Sequence, residues 1–410
     1  MHSSALPARA GLAIVLLSVS GLVVAGCAPS GSGAPSASSG TSAEGCGVVP
    51  TTPVSDPSGL LAEFPEDIVN GFNLWPYEIR KSAWADYASE KTEGYTAALV
   101  GMPPASPFIA TMTEAIRSSL EAEGVEIVAD FAPDDPSNVP LQLQQFNEAL
   151  ALKPDVIIYT PIAPEPSIDL VKQAFDAGIP VIAAQVPIDS EYAISVTRNV
   201  PLAVAEVTAG TLGAIGGKGS VLRVQGIPGI PNTTFADLGT DAILDTCPEV
   251  KVVGEVTGFF QPATAQAEVL KFLSTNPAGV DAVLQSGTMG LGIYNAFVES
   301  GLEAPPIADD GATQGFSAWA LQNPDYPYFG TTTPSVRTGE VVAEVALRTL
   351  KGEGPKINQI VQPSVIVTQD NLADYAEESW KITDGADLAG SPDDYEPTER
   401  LDQFFTNPAS

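Results

Sequence analysis

The sequence has one histidine, His2, three cysteines, and only 18 Lys and Arg against 50 Asp and Glu, for a net charge of −32. Each shortage excludes a class of function. If the leader is cleaved, no imidazole remains, so Ser-His-Asp and Cys-His catalysis have no base. Zinc then finds only scattered cysteines. With so few basic residues, nothing can displace counterions from a phosphate backbone, so nucleic acid is not a partner. Charged residues amount to 17% and apolar ones to 44% of the 410 residues, which is not the composition of a disordered acidic tail. No EF-hand pattern occurs. After the apolar stretch at the start, no run is long enough to cross a bilayer. The chain can build two or more lobes with buried cores.

The start reads as a targeting segment. Arg9 precedes an apolar run from Gly11 to Val24, broken by Ser18 and Ser20, which ends in Val24-Ala25-Gly26-Cys27. The run is short for a membrane span and ends in small residues. Small residues directly before a cysteine resemble the bacterial lipobox. That resemblance implies that residues 1–26 are a lipoprotein signal peptide and that Cys27 is lipidated, with acyl chains burying CH₂ groups at about 0.8 kcal/mol each. Cleavage there removes His2 and Arg9. Residues 27–59 are rich in Ser, Gly, Pro, Ala and Thr and read as a flexible tether. Export permits a disulfide between Cys46 and Cys247; two unpaired thiols are the other reading.

From Tyr95 onward, β-rich runs alternate with helical periodicity. The runs are 95–101, 125–132, 156–161, 181–188, 193–199, 220–226, 250–258, 282–287, 305–311, 328–333 and 364–369. Val156-Ile157-Ile158-Tyr159 is apolar throughout, as suits a strand covered on both faces. Between the runs, Ile109, Met112, Ile116 and Leu120 recur at helical steps. The alternation predicts an α/β fold of doubly wound parallel sheets with right-handed crossovers, divided into two lobes. The stretch from Gly213 to Ser220 faintly resembles a phosphate loop. Leu212 occupies the place of its first glycine and a strand follows, so it reads as a helix end and turn. Asp134-Asp135 beside Pro136 reads as a solvated turn.

In open α/β sheets, ligands bind outside the carboxyl ends of the strands. The residues there are Phe108, Gln185, Arg198, Asn199, Phe260, Gln261, Ser286, Asp310 and Thr333, with Asn232, Thr234 and Phe235 opening a helix. This set mixes amide and hydroxyl groups with aromatic rings and holds only two charges, Arg198 and Asp310. Hydroxyls both donate and accept, and the C–H face of a sugar packs on an aromatic ring. A neutral or zwitterionic ligand therefore fits better than a polyanion. Each residue also has a structural reading. Phe108, Phe235 and Phe260 can be packing, Arg198 a bridge between lobes, and Asn199 a helix cap.

Ser106-Pro107-Phe108, Lys153-Pro154-Asp155-Val156-Ile157-Ile158, Ala177-Gly178-Ile179-Pro180-Val181-Ile182, Val224-Gln225-Gly226 and Gly279-Val280-Asp281-Ala282-Val283 occur in a telling order. From about Tyr95 to Asp370 the chain resembles the type I periplasmic-binding-protein family, in its ribose/galactose branch of ABC-transporter solute receptors. The resemblance implies two lobes joined by a three-strand hinge, with ligand in the cleft and closure on binding. It implies lobes of 95–199 plus 335–362 and 200–334 plus 363–370. The flanking stretches, 60–94 and 371–410, lie outside the pattern. The first is expected to pack on the body, and the second is an acidic extension that wraps it or ends as a solvated tail.

In that family Phe108 corresponds to a stacking aromatic and Asp310 to a carboxylate that grips hydroxyls. Gln185 and Val186 replace an Asp and an Arg, Ser286 an Asn, and Thr333 a Gln. The helix-opening Arg is lost near Thr234 or Phe235. The expected function is a monomeric, membrane-anchored receptor on the outer face of the cytoplasmic membrane that passes a small, sugar-like solute to ABC permease subunits. It needs no cofactor or metal and is not an enzyme. The alternatives are an amino acid, nucleoside or signalling ligand on the same fold, or a sensory lipoprotein without a transport role.

Overall fold

The computed structural model describes residues 46–104, 106–385, 388 and 395–408. Cys27, the stretch 1–26 read as a signal peptide, and residues 28–45 of the expected tether lie outside the described residues. Residues 46–59 depart from the flexible tether expected of them: Cys46 is bonded to Cys247, and Thr52 and Ser55 accept backbone hydrogen bonds from Leu74 and Ile79. A short helix, α1 (Glu66–Gly71), precedes the first unit. That unit alternates β1 (Thr96–Val100), α2 (Pro107–Ala122), β2 (Glu126–Phe131), α3 (Val139–Ala151), β3 (Val156–Tyr159), α4 (Ile168–Asp176), β4 (Val181–Ala184) and β5 (Ala193–Arg198). The second follows with α5 (Val200–Ala214), β6 (Lys218–Gln225), α6 (Pro231–Leu244), β7 (Glu249–Thr257), α7 (Pro262–Thr275), β8 (Ala282–Gln285), α8 (Gly290–Glu299), β9 (Ile307–Asp309), α9 (Gln314–Gln322) and β10 (Phe329–Thr332). The chain then forms α10 (Ser335–Leu350), β11 (Gln359–Gln362), β12 (Val365–Thr368) and a terminal α11 (Thr398–Asp402).

The strands form two six-stranded sheets, ordered β11-β5-β4-β3-β1-β2 and β12-β10-β9-β8-β6-β7. Every pairing is parallel except β10 with β12. These are two α/β lobes. Between β1 and β12 the chain passes from one sheet to the other three times: at Asn199 after β5, at Thr333-Pro334 after β10, and at Pro363-Ser364 between β11 and β12.

The local chemistry accounts for the elements. All residues of β3 and β4 are buried, because helices cover both faces of the sheet. Proline occupies the first turn of α2, α3, α5, α6 and α7, where its missing N–H costs nothing. Ser106, Asn138 and Asn199 cap their helices through side-chain oxygens. Gly213 to Ser220 is a helix end and turn leading into β6, and Gly216 and Gly217 both have φ 70. Strand β11 differs from the sequence pattern. Its ends are Gln359 and Gln362, both fully buried, and pairing with β5 makes it a strand despite them.

Both flanking stretches are packed. Leu61, Phe64, Ile68, Phe72, Trp75, Ile79 and Trp84 enter the first lobe's core, together with Leu401, Phe404 and Phe405 from the far end of the chain. Leu372 and Leu388 join the core of the second lobe. Cys46 and Cys247 form a disulfide. Among the described residues no helix is long and apolar enough to cross a membrane.

Candidate functional site

The carboxyl ends of the two sheets meet at one buried contact. Arg198, the last residue of β5, reaches Asp310, which follows β9. Its Nη1 lies 2.8 Å from Oδ1 and its Nη2 3.1 Å from Oδ2. This fork-to-fork geometry is specific to arginine. Thr331 donates its hydroxyl to Asp310 Oδ1 at 2.8 Å, and the Gly311 N–H donates to Thr331 Oγ1 at 2.9 Å. Asp310 is 1% exposed. Burial pulls the Arg198 pKa down, but the charge and hydrogen bonds of Asp310 outweigh it, and the net direction is up. Two residues expected as ligand contacts are therefore partners of each other, one from each lobe.

The neighbouring carboxyl behaves differently. Asp309 is fully buried and accepts a hydrogen bond from the Tyr328 hydroxyl at 2.8 Å. Burial pushes its pKa up to about 7; Tyr328 opposes the shift and the charge of Asp310 adds to it. Asp309 thus keeps its proton to a higher pH than an ordinary carboxyl, whereas Asp310 is paired with a cation.

Around this pair the second lobe presents an aromatic floor. Phe259 and Phe260 adopt φ 59 and 57, a strained region for such side chains, so the turn after β7 is forced. The Phe260 ring lies on the backbone of Gly226 and Gly287. A Cβ on Gly226 would stand 2.0 Å from that ring, so only glycine fits. A Cβ on Gly287 would lie 3.2 Å from the Phe260 ring and 3.7 Å from Asp310 Oδ2, so ring and carboxylate both approach this glycine. Ser286 accepts the Gly226 N–H at 2.7 Å and pins the ends of β6 and β8 together.

The remaining sequence-derived residues divide into two groups. Some are satisfied within the protein. Asn199 caps α5 at the Leu202 N–H, 3.1 Å, and donates to the carbonyls of Gly71 and Asn73 at 2.9 and 2.6 Å. Phe235 is buried against Tyr77, ring edge to face at 5.8 Å. Phe108 is half-buried against the first lobe's core. Thr234 is exposed and donates to the Ile230 carbonyl, and the exposed Gln261 accepts from Thr264.

Others keep polar atoms without a protein partner. Gln185 Oε1, just past β4, is one, with the residue at φ 66 and buried. Thr333 Oγ1 past β10 and Asn232 Oδ1 in the first turn of α6 are two more. Gln362 Nε2 at the end of β11 is a fourth, which the sequence pattern did not single out. A buried polar atom without a partner costs about 1–3 kcal/mol, so these positions favour a ligand that can bond them.

Sequence reasoning also missed Thr331, Tyr77 and Tyr395. Tyr395 is fully buried. Its hydroxyl donates to Gln362 Oε1 at 3.3 Å and lies 3.1 Å from Thr338 Oγ1. Its only signal was aromatic density in an acidic stretch. Among the described residues no group of three or more His, Cys, Asp or Glu is placed to hold a metal. An open surface groove between β7 and α7 is lined by Glu255, Val256, Phe259, Lys271 and Phe272.

Residues 98–354 match the family model described as a periplasmic binding protein domain. A xylitol-binding protein of Mycolicibacterium smegmatis is 27% identical over 275 residues, covering 65% of this chain and 75% of that protein. Among solved structures, an ABC transporter solute binding protein from Thermobispora bispora superposes with a TM-score of 0.60 at 24% identity, covering 68% of this chain and 86% of its own. Another, from Bacillus halodurans with bound myo-inositol, gives a TM-score of 0.60 at 18% identity, covering 70% and 98%.

Proposed function

The chain belongs to the periplasmic binding protein domain family, and from that premise we propose that it is the receptor of an ABC importer for a small neutral polyhydroxy ligand, a sugar or polyol. It works outside the cytoplasmic membrane, held there by a lipid on Cys27, and presents its closed lobes to the permease. Residues 95–199 with 335–362 act as one lobe and 200–334 with 363–370 as the other.

The observation that carries the ligand class is the Arg198–Asp310 pair. The two formal charges at the strand ends cancel each other. What remains for a ligand is neutral: Gln185 Oε1, Asn232 Oδ1 and Thr333 Oγ1 as acceptors, Gln362 Nε2 and the threonine hydroxyl as donors. Hydroxyl groups answer both kinds. An amino acid would need an unpaired charge for each of its own and would find none among these groups. Phe260 supplies an aromatic face for C–H groups. The name of the Mycolicibacterium relative agrees with this reading.

A thermal-shift screen tests it, with pentitols, hexitols, inositols and aldoses in one arm and amino acids and nucleosides in the other. A ligand at about a hundred times its Kd adds about 2.7 kcal/mol of stability. A polyol or sugar is expected to raise Tm. Stabilisation confined to the amino acid or nucleoside arm would overturn the ligand class.

A further inference from the structure

A stretch outside the matched domain joins the two lobes by a route additional to the three hinge crossings, touching one of them where Asn199 donates to the Gly71 and Asn73 carbonyls. At one end Cys46 is bonded to Cys247, beyond the end of α6. Its sulfur packs where a Cβ on Gly217 would stand 2.9 Å away, so this end moves with the second lobe. At the other end, Phe64, Ile68, Phe72, Ile79 and Trp84 are buried in the first lobe's core. The Trp84 indole N–H donates to the Tyr192 carbonyl at 2.8 Å, and Arg80 pairs with Asp189.

The segment between these anchors is doubled on itself. The N–H groups of Leu74 and Ile79 donate to the carbonyls of Thr52 and Ser55 at 3.0 and 2.8 Å. Asn73 is bonded to Thr52 and Pro50 at 2.7 and 3.0 Å. Such a ribbon transmits displacement rather than absorbing it as slack.

Tyr77 stands where the ribbon passes between the lobes. Its ring meets Phe235 of α6 and packs with Val200, Val204 and Ala236, all of the second lobe. Its other neighbour is Trp75, edge-on at 6.1 Å. Burial raises its pKa to about 12, and the carboxylates of Glu165 and Asp189, which follow β3 and β4 of the first lobe, add to the shift. The side chain is therefore packed on one side against Trp75 and the first lobe's core and on the other against a helix of the second lobe.

We propose that residues 46–84 form an interlobe strap and that Tyr77 is its positioning residue. By holding Phe235, Tyr77 sets the angle at which the lobes rest. Neither anchor can slip, since one is covalent and the other lies inside a core. Lobe separation must then part the Tyr77–Phe235 contact. Loss of that contact lowers the closed population, and apparent affinity falls by the same fraction. The inference rests on the reading of the molecule as a two-lobed receptor that closes, but its first test needs no ligand.

Dyes placed through unnatural amino acids at the exposed Glu121 and Lys271 report the interlobe distance by single-molecule FRET. The Tyr77→Ala and Phe235→Ala variants are each expected to shift the ligand-free distribution to longer distances. The double variant should go no further than either single one, because one contact is being removed. Tyr77→Phe, which keeps the ring, should behave as wild type. Cys46→Ser with Cys247→Ser should broaden the distribution. With xylitol as probe, Y77A should bind about three- to tenfold more weakly, the scale of one aromatic pair. An unchanged distance distribution in folded Y77A, or in the folded disulfide-free variant, overturns the strap. Wild type that ignores every polyol and sugar while Y77A still opens would leave the strap standing and remove the ligand class instead.

Discussion

Arg198 and Asp310 show how much one pair can decide. A buried ion pair adds little net stability compared with an apolar pair, but removing one partner strands the other, at about 3–5 kcal/mol. The Arg198→Met variant should therefore lose that order of stability in urea unfolding. Adding Asp310→Asn should restore a good part of it, because the uncompensated charge is gone. Additive losses across the double-mutant cycle would show that the pair is not coupled.

Asp309, one residue away, makes a prediction about pH. Its folded pKa of about 7 stands above the ordinary 3.8, so the native state holds a proton that the unfolded state has released. Its contribution to stability is complete below the unfolded value. It is lost as pH rises through the folded one, at no more than about 1.4 kcal/mol per pH unit. Wild type should thus lose stability between pH 5 and pH 8 by a margin that Asp309→Asn abolishes, since Asn still accepts the Tyr328 hydrogen bond. An identical slope in both proteins would refute a protonated Asp309.

Both Arg198 and Asp310 stood out in the sequence, because each ends a strand-like run. Their mutual bond did not, since they are 112 positions apart and belong to different sheets. Ser286 and Asn199 were readable as strand-end and hinge polar groups. The cap at Asn199 is among the sequence readings; the Ser286 bond to Gly226 and the Asn199 bonds to Gly71 and Asn73 join residues too far apart in sequence to be read there. Tyr77 left no signal beyond the aromatic density of its stretch.

At the scale of elements, what could be read depended on contrast. β3 and β4 were plain in the sequence because four apolar residues in a row fit a strand buried on both faces. β11 was hidden because its glutamines are buried only after β5 pairs with it. Helix α5 offers a different difficulty. It has no polar stripe, and residues on every side of it are buried. The reason is that α6 and the second sheet cover it, while Cys46 and Gly47 of the strap approach its end, with the site of a Gly47 Cβ lying 3.4 Å from Gly213 Cα. Glu206, half-buried on the same helix, has its pKa pushed up to about 7 by burial alone. Surroundings contributed by distant segments thus decide which faces count as core, and periodicity cannot report them.

At the scale of the molecule, the far end of the chain repeats what the strap does. Gly315 of α9 donates its N–H to the Asp384 carbonyl at 2.8 Å, and a Cβ there would meet the Ile382 carbonyl at 2.3 Å. The Leu388 N–H donates to the Ala312 carbonyl at 3.0 Å, and its side chain lies in the second lobe's core. Beyond it, Tyr395, Leu401, Phe404 and Phe405 are buried on the first lobe's side. Arg348 holds Asp402 at 2.7 Å and covers the Phe405 ring at 4.1 Å. Each of these apolar side chains contributes about 1.5–3 kcal/mol by burial, partly offset by the entropy of ordering the segment. The tail therefore stabilises the first lobe and ties its unfolding to that of the second. A chain ending at Asp384 should lose stability mainly in the first lobe. Calorimetry should then show wild type melting in one transition and the shortened chain in two, the earlier belonging to the first lobe. A single transition for the shortened chain, merely displaced in temperature, would mean that the three hinge crossings and the strap alone make the lobes cooperative.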